Sequence, residues 1–166
     1  MATFNLYTEY IDLTAVKNFC RDSGILCAYP KNTIFVEQNK IGRYLGLVHS
    51  GYLKYTTVTT TGEEAVVGFA FANELVADFY NSFNGMPSPV TIKAGTRTKI
   101  YQINISEAKS HMHVLFNHNI SQISEALFRD IYHRLLELYR KNPTERYLDL
   151  INNNPDIVNI VSMRDM

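Results

Sequence analysis

A chain of 166 residues with 46% hydrophobic and 19% charged side chains can bury a sizeable core and is too apolar to be disordered. Its 16 Lys and Arg balance 16 Asp and Glu, which argues against strong nucleic-acid binding by this stretch alone, because a protein that grips phosphates carries a basic excess. No window approaches the roughly 18 apolar residues that span a bilayer, and the start MATFNLYTEY lacks a basic region followed by an apolar one, so neither a membrane span nor a secretory signal is expected.

The first zone runs from Phe4 to about Gly24. Tyr10, Leu13, Val16 and Phe19 or Cys20 recur at three- to four-residue spacing, which predicts an amphipathic helix with Gly24 at the C-cap position. Cys20 and Cys27 are the two cysteines of the chain. Without a signal peptide they read as reduced thiols of a cytoplasmic protein, serving as small buried apolar groups.

The second zone, roughly 25–110, has strand character. GYLKYTTVTTTGEEAVVGFAF offers two β-rich runs around Thr61-Gly62-Glu63. Tyr52, Lys54, Thr56 and Val58 alternate with Leu53, Tyr55 and Thr57, the period of a strand. A further run, Thr98–Ile105, sets Ile100, Ile103 and Ile105 among polar neighbours. Several short strands separated by turn residues predict an antiparallel sandwich or barrel. Between these runs lies NELVADFYNSFNGMPSPVTIKA, residues 73–94, polar and turn-rich with two prolines.

Three histidines follow, His111, His113 and His118. Spacing of i, i+2 on a strand would put two imidazoles on one face, as a metal site requires. They come after the last clear strand, with no glutamate at a matching distance, and read better as surface or hinge residues. Asn104-Ile105-Ser106 and Asn119-Ile120-Ser121 match the glycosylation pattern, which has no meaning for a cytoplasmic chain.

The third zone is helical. From Ile120, apolar residues recur at Ile123, Leu127, Ile131, Leu135 and Leu138, a step close to one α-helical turn. Phe128, Tyr132, Leu136 and Tyr139 widen the stripe beyond what one contact needs, so the expectation is a helix that pairs two copies of the chain. Packing of the whole stripe on its own domain is the plainer alternative. Three helix-start signals then follow. Asn142-Pro143-Thr144-Glu145 offers an N-cap, a proline at the first helical position and a glutamate. Asn154-Pro155-Asp156 repeats the cap and proline, and Ser162-Met163-Arg164-Asp165 has the form of a capping box. A one-turn helix does not support itself, so the expectation is a truncated chain whose last residues open a further element.

In this order, Gly51-Tyr52-Leu53-Lys54-Tyr55, Thr61-Gly62-Glu63-Glu64, Val67-Gly68-Phe69, Glu145-Arg146-Tyr147-Leu148-Asp149-Leu150 and Asn154-Pro155-Asp156 resemble the Crp/Fnr family of bacterial transcription regulators. The resemblance implies a mainly β fold with flanking helices. Residues 1–112 would form a double-stranded β-helix (jelly-roll) sensor of the cyclic-nucleotide-binding type, with an N-terminal helix. Residues 113–141 would form a long dimerisation helix, pairing through Ile120, Ile123, Leu127, Ile131, Leu135 and Leu138. Residues 142–166 would begin a DNA-binding domain with a helix-turn-helix that lies beyond the sequence. The implied partners are a second copy, DNA through that missing module, and a small-molecule effector.

The family's phosphate cassette resembles a Gly-Glu-Leu turn followed, after a short helix, by Arg-Ser or Arg-Thr. Here Asn73-Glu74-Leu75 match the first half and Ser88-Pro89 the second, with Val90 after them. Asn73 can adopt the left-handed turn of a glycine. Ser88 carries no charge, and Pro89 has no N–H to donate. The positions that read the base fall near Ile131 and Tyr132. The expectation is a cavity bounded by Glu74, Leu75, Ser88 and Val90 that does not bind a cyclic nucleotide, with no cofactor and no catalytic residues. Two other readings remain: a cupin-like metal-binding enzyme, and a standalone small-ligand-binding module.

Overall fold

The computed structural model describes residues 5–111, 120–163, 165 and 166; for residues 6, 8 and 120–124 it describes the backbone alone. Two four-stranded antiparallel sheets face one another. One has the order β1(Ile25–Tyr29), β8(Thr98–Asn104), β3(Tyr44–Ser50), β6(Leu75–Val76), and the other β2(Ile34–Val36), β7(Thr91–Ala94), β4(Leu53–Val58), β5(Glu64–Ala70). Consecutive strands fall in opposite sheets at several steps, which is the jelly-roll winding.

Alternation along the strands separates three apolar layers. Between the sheets lie Phe35, Val36, Val48, Leu53, Ala70, Val76, Ile92 and Ile100. On the outer face of the first sheet, Leu45, Leu47, Leu75 and Ile103 pack under a 3-10 helix (Leu6–Glu9), α1(Thr14–Ser23) and α3(Ile105–Ser110). The third layer covers the outer face of the second sheet. There Tyr52, Phe69 and Phe71 meet Ile157 and Val161 from the C-terminal segment. Tyr52 and Lys54 thus point outward as the alternation requires, and both are nevertheless buried. Gly95 permits this arrangement, since a Cβ there would stand 2.0 Å from the Tyr52 ring.

The long helix α4 spans Ile120–Arg140, followed by α5(Pro143–Asn153) and α6(Ile157–Ile160). Asn142 caps α5 with a full capping box to Glu145 and proline in the first turn. One local expectation holds, at Gly24, and two change. Gly24 does follow α1 and donates to the Cys20 carbonyl, but in an extended conformation (φ −78°, ψ 153°). It is glycine because a Cβ would stand 2.2 Å from that carbonyl oxygen. The second cap is Asp156, whereas Asn154 ends α5. Among the described residues Ser162 opens no helix. Its hydroxyl donates to Asp165 Oδ2 at 2.9 Å and its carbonyl accepts the Asp165 N–H at 2.9 Å, which closes a turn.

That turn is held by charge as well as by Ile157 and Val161. Lys54 Nζ donates to Asp165 Oδ1 at 2.5 Å, and the two side chains are only 9% and 11% exposed. Burial raises the Asp165 pKa, but the hydrogen bonds and charge of Lys54 and the Ser162 hydroxyl outweigh it and hold the carboxyl below its ordinary range. A depressed carboxylate stabilises above its unfolded pKa and loses that contribution as pH falls through the folded value. Asp165→Asn is therefore expected to lower stability near pH 7 by on the order of 1 kcal/mol. In thermal melts the gap to the wild type should close as pH falls below the ordinary aspartate range and through the lowered folded value; a gap that persists there would show that the ion pair is not its source.

Cys20 is fully buried, and burial pushes its thiol up to about 12. It acts as an apolar side chain.

Candidate functional site

The first half of the 73–94 segment forms the predicted turn. Asn73 adopts φ +69°. Its N–H donates to the Val48 carbonyl, and its Oδ1 accepts from Arg21 at 3.2 Å. The turn drives Glu74 inward, where it is 2% exposed. Its Oε2 accepts the Phe71 N–H at 2.8 Å and Asn5 Nδ2 at 3.0 Å, and Oε1 accepts the Asn5 N–H at 3.4 Å. The Glu74 carboxylate is thus engaged with the N-terminal segment. Leu75 lies in the core layer under the helices.

The chain then runs through a short helix, α2(Phe79–Asn84), which ends on Gly85 at φ +67°. Ser88 beyond it is 1% exposed. Its hydroxyl donates to the Val90 carbonyl at 2.8 Å and accepts the Val90 N–H at 3.3 Å. Its backbone N–H and carbonyl are bonded to Lys40 and Asn39. Pro89 is exposed and Val90 half-buried.

A cleft of ≈ 1490 Å³ opens between this segment, β5, α4 and α5. Of the predicted pocket residues it collects Val90 and Ile131, while Asn73, Glu74, Leu75, Ser88, Pro89 and Tyr132 are not on its wall. Tyr132 stacks instead on Phe128, with ring centroids 5.7 Å apart. Wall residues that the sequence did not single out include Tyr55, Phe79, Phe83, Asp130, Arg134 and Met166. Tyr55 donates to the Ala77 carbonyl at 3.4 Å. Burial pushes its phenol well above the ordinary range, so it remains a neutral donor. The i, i+4 spacing of Phe79 and Phe83, and of Asp130 and Arg134, was the legible signal for two of these pairs.

Arg134 Nε donates to Asp130 Oδ1 at 2.9 Å and its Nη2 to Oδ2 at 3.1 Å. Nη2 also approaches Asn5 Oδ1 at 3.4 Å, and the Tyr7 N–H donates to Asp130 Oδ2 at 3.4 Å. Glu74, Asn5, Arg134 and Asp130 therefore form one hydrogen-bonded chain from the cassette turn to the long helix.

The stripe of α4 divides. Leu127 is half-buried against the helical layer, whereas Ile131, Leu135 and Leu138 are 65%, 45% and 56% exposed. The Ile120 and Ile123 side chains lie outside the described residues, as do His113 and His118. His111 ends α3, its Nδ1 beside the Glu107 carbonyl at 3.0 Å and its ring against Phe19. Among the described residues, no group of three or more His, Cys, Asp or Glu is placed to hold a metal, and no helix is long and apolar enough to cross a membrane.

The described residues thus form a jelly roll with a short helix between the two halves of the 73–94 segment and a long helix after the barrel. The sequence matches the cyclic nucleotide-binding domain family over residues 26–112, more than half of the chain, and the chain belongs to that family. Its structural neighbours are regulators of the Crp/Fnr type. The catabolite activator protein of Thermus thermophilus superposes with a TM-score of 0.57 at 17% identity, over 88% of this chain and 62% of that one. FixK2 from Bradyrhizobium japonicum gives 0.60 at 16% identity, over 74% and 61%. The c-di-GMP-responsive global regulator CLP of Xanthomonas campestris gives 0.59 at 18% identity, over 78% and 62%. The chain thus spans about three fifths of the length of these regulators. No curated protein matches the sequence.

Proposed function

We propose that this chain is the sensor and dimer portion of a cytoplasmic transcription regulator of Crp/Fnr type. Residues 1–112 form the sensor, 113–141 the dimer helix, and 142–166 the lead into a DNA-binding module. A small effector occupies the cleft beside α4 and biases the arrangement of two paired helices, and with it the two DNA-binding modules. The observation that carries this reading is the exposed row Ile131, Leu135 and Leu138 on a 21-residue helix, a row that also borders the cleft. Apolar side chains so exposed in a row are stabilised by a second copy.

A cyclic nucleotide is not the effector on this reading. Glu74 is consumed by the Phe71 and Asn5 donors, and Ser88-Pro89 supply neither a cation nor a second N–H at the phosphate position. The regulator reading, with no catalytic residues, is also in line with its structural neighbours being regulators.

Analytical ultracentrifugation tests the assembly. At micromolar concentration the chain is expected to sediment as a dimer, and the Ile131→Glu/Leu135→Glu double variant as a monomer that keeps the wild-type far-UV circular dichroism. A monomeric wild type, or a double variant that keeps the dimer mass, would overturn the pairing.

A further inference from the structure

The charge on the cleft wall bears on what it holds. Among the described residues, three permanent cations line it: Arg134, Lys141 and Arg146. Five carboxylates do so as well: Glu9, Asp78, Asp130, Glu137 and Asp149. The cations are already engaged. Arg134 is paired with Asp130, and Lys141 with both Glu137 and Asp149. Arg146 Nη1 donates to the Leu138 and Lys141 carbonyls at the end of α4. Among the described residues the wall has two more negative than positive groups, and an anionic ligand would gain one of these cations only by breaking one of these contacts. Taking a partner from a partly buried charge is costly.

Toward the barrel the wall turns apolar. Phe79 and Phe83 stack at 6.3 Å with a 13° interplanar angle, and Val66, Val90, Leu127 and Ile131 share the wall with them. Flat aromatic and aliphatic faces hold a ligand by desolvation and ring contact rather than by charge.

We infer that the cleft takes a largely apolar, ring-bearing molecule that carries no negative charge. This rests on the reading of the cleft as the effector site and names the chemical class of that effector. Such a molecule touches α4 on one side and α5 with Met166 on the other, so its presence bears on the long helix and on the C-terminal segment together.

Two probes with one ring skeleton test the role of charge. N-phenyl-1-naphthylamine is neutral, and 8-anilinonaphthalene-1-sulfonate adds a single sulfonate. Fluorescence titration of the dimeric chain is expected to show one saturable site per subunit for the neutral probe, bound about tenfold more tightly than the sulfonate. Val67→Glu, at an exposed position on the wall, and Phe83→Ala should each weaken the neutral probe severalfold while the sedimentation mass stays that of the dimer. Tighter binding of the sulfonate, or a neutral-probe affinity that neither variant changes, would overturn the inference. Cyclic AMP that binds and raises the melting temperature where the neutral probe does not would overturn the ligand class and leave the sensor reading standing. Probe binding seen only on dilution to monomer would mean that the second copy fills the cleft, and the inference would fall. If no probe and no cyclic nucleotide binds to a chain that still dimerises, the effector-site reading falls with it.

Discussion

Replacing Ile157 by Ala is expected to destabilise the chain by about 2–4 kcal/mol, the usual cost of emptying a fully buried aliphatic site. Ile157 is 0% exposed and sits in the layer with Tyr52, Phe69, Phe71 and Val161 on the outer face of the second sheet. The three aromatic rings pack on one another at centroid separations of 5.7 to 6.1 Å, so they have little freedom to collapse into the space. For a chain of this length each kcal/mol lowers the melting temperature by roughly 2–4 °C. Val158→Ala is the control. Val158 is 43% exposed, and its truncation should stay within about 0.5 kcal/mol. Calorimetry checks both. A wild-type melting temperature retained by Ile157→Ala, or a separate low-temperature transition, would show that the C-terminal segment is not part of the barrel's cooperative unit.

The second large effect is expected at Glu74. Glu74→Ala removes the acceptor of the Phe71 N–H and of the Asn5 side-chain amide. Each donor left without a partner costs about 1–3 kcal/mol, so a loss on the order of 3 kcal/mol is expected. The effect should be transmitted along the chain of bonds through Asn5 to Arg134 and Asp130. Asn5→Ala should therefore reproduce part of the loss, and combining it with Glu74→Ala should give less than the sum of the two, as for groups in one network. Urea titration at constant slope measures this. A Glu74→Ala variant of wild-type stability would mean that the carboxylate is not a structural anchor, and would return it to the position of a ligand contact.

Several features were legible in the sequence because local chemistry decides them. Asn73 takes the left-handed turn because a short polar side chain tolerates it. Asn142, Pro143 and Glu145 cap α5 because each supplies what a helix start lacks. The period of Leu127, Ile131, Leu135 and Leu138 marks α4, and the β-rich zone with its turn residues marks the jelly roll. The family was legible in the order of these parts.

What the sequence left undecided depends on residues far apart in it. The cassette positions were read by analogy, and they predict a cavity bounded by Glu74, Leu75, Ser88 and Val90. Only the fold shows that Asn5, 69 residues earlier, meets the Glu74 carboxylate, and that the cleft wall is shared by α2, β5, α4 and α5. The alternation of Tyr52 and Lys54 fixed which face of β4 they occupy but not what covers it. A solvated face was the default for a lysine, and its burial required Asp165, 111 residues later. Backbone conformation, capping and period are set within a few residues, so the sequence alone determined them. Which carboxylate is spent on structure, which face is covered and where the cleft opens are set by contacts across the chain, and those the tertiary structure decided.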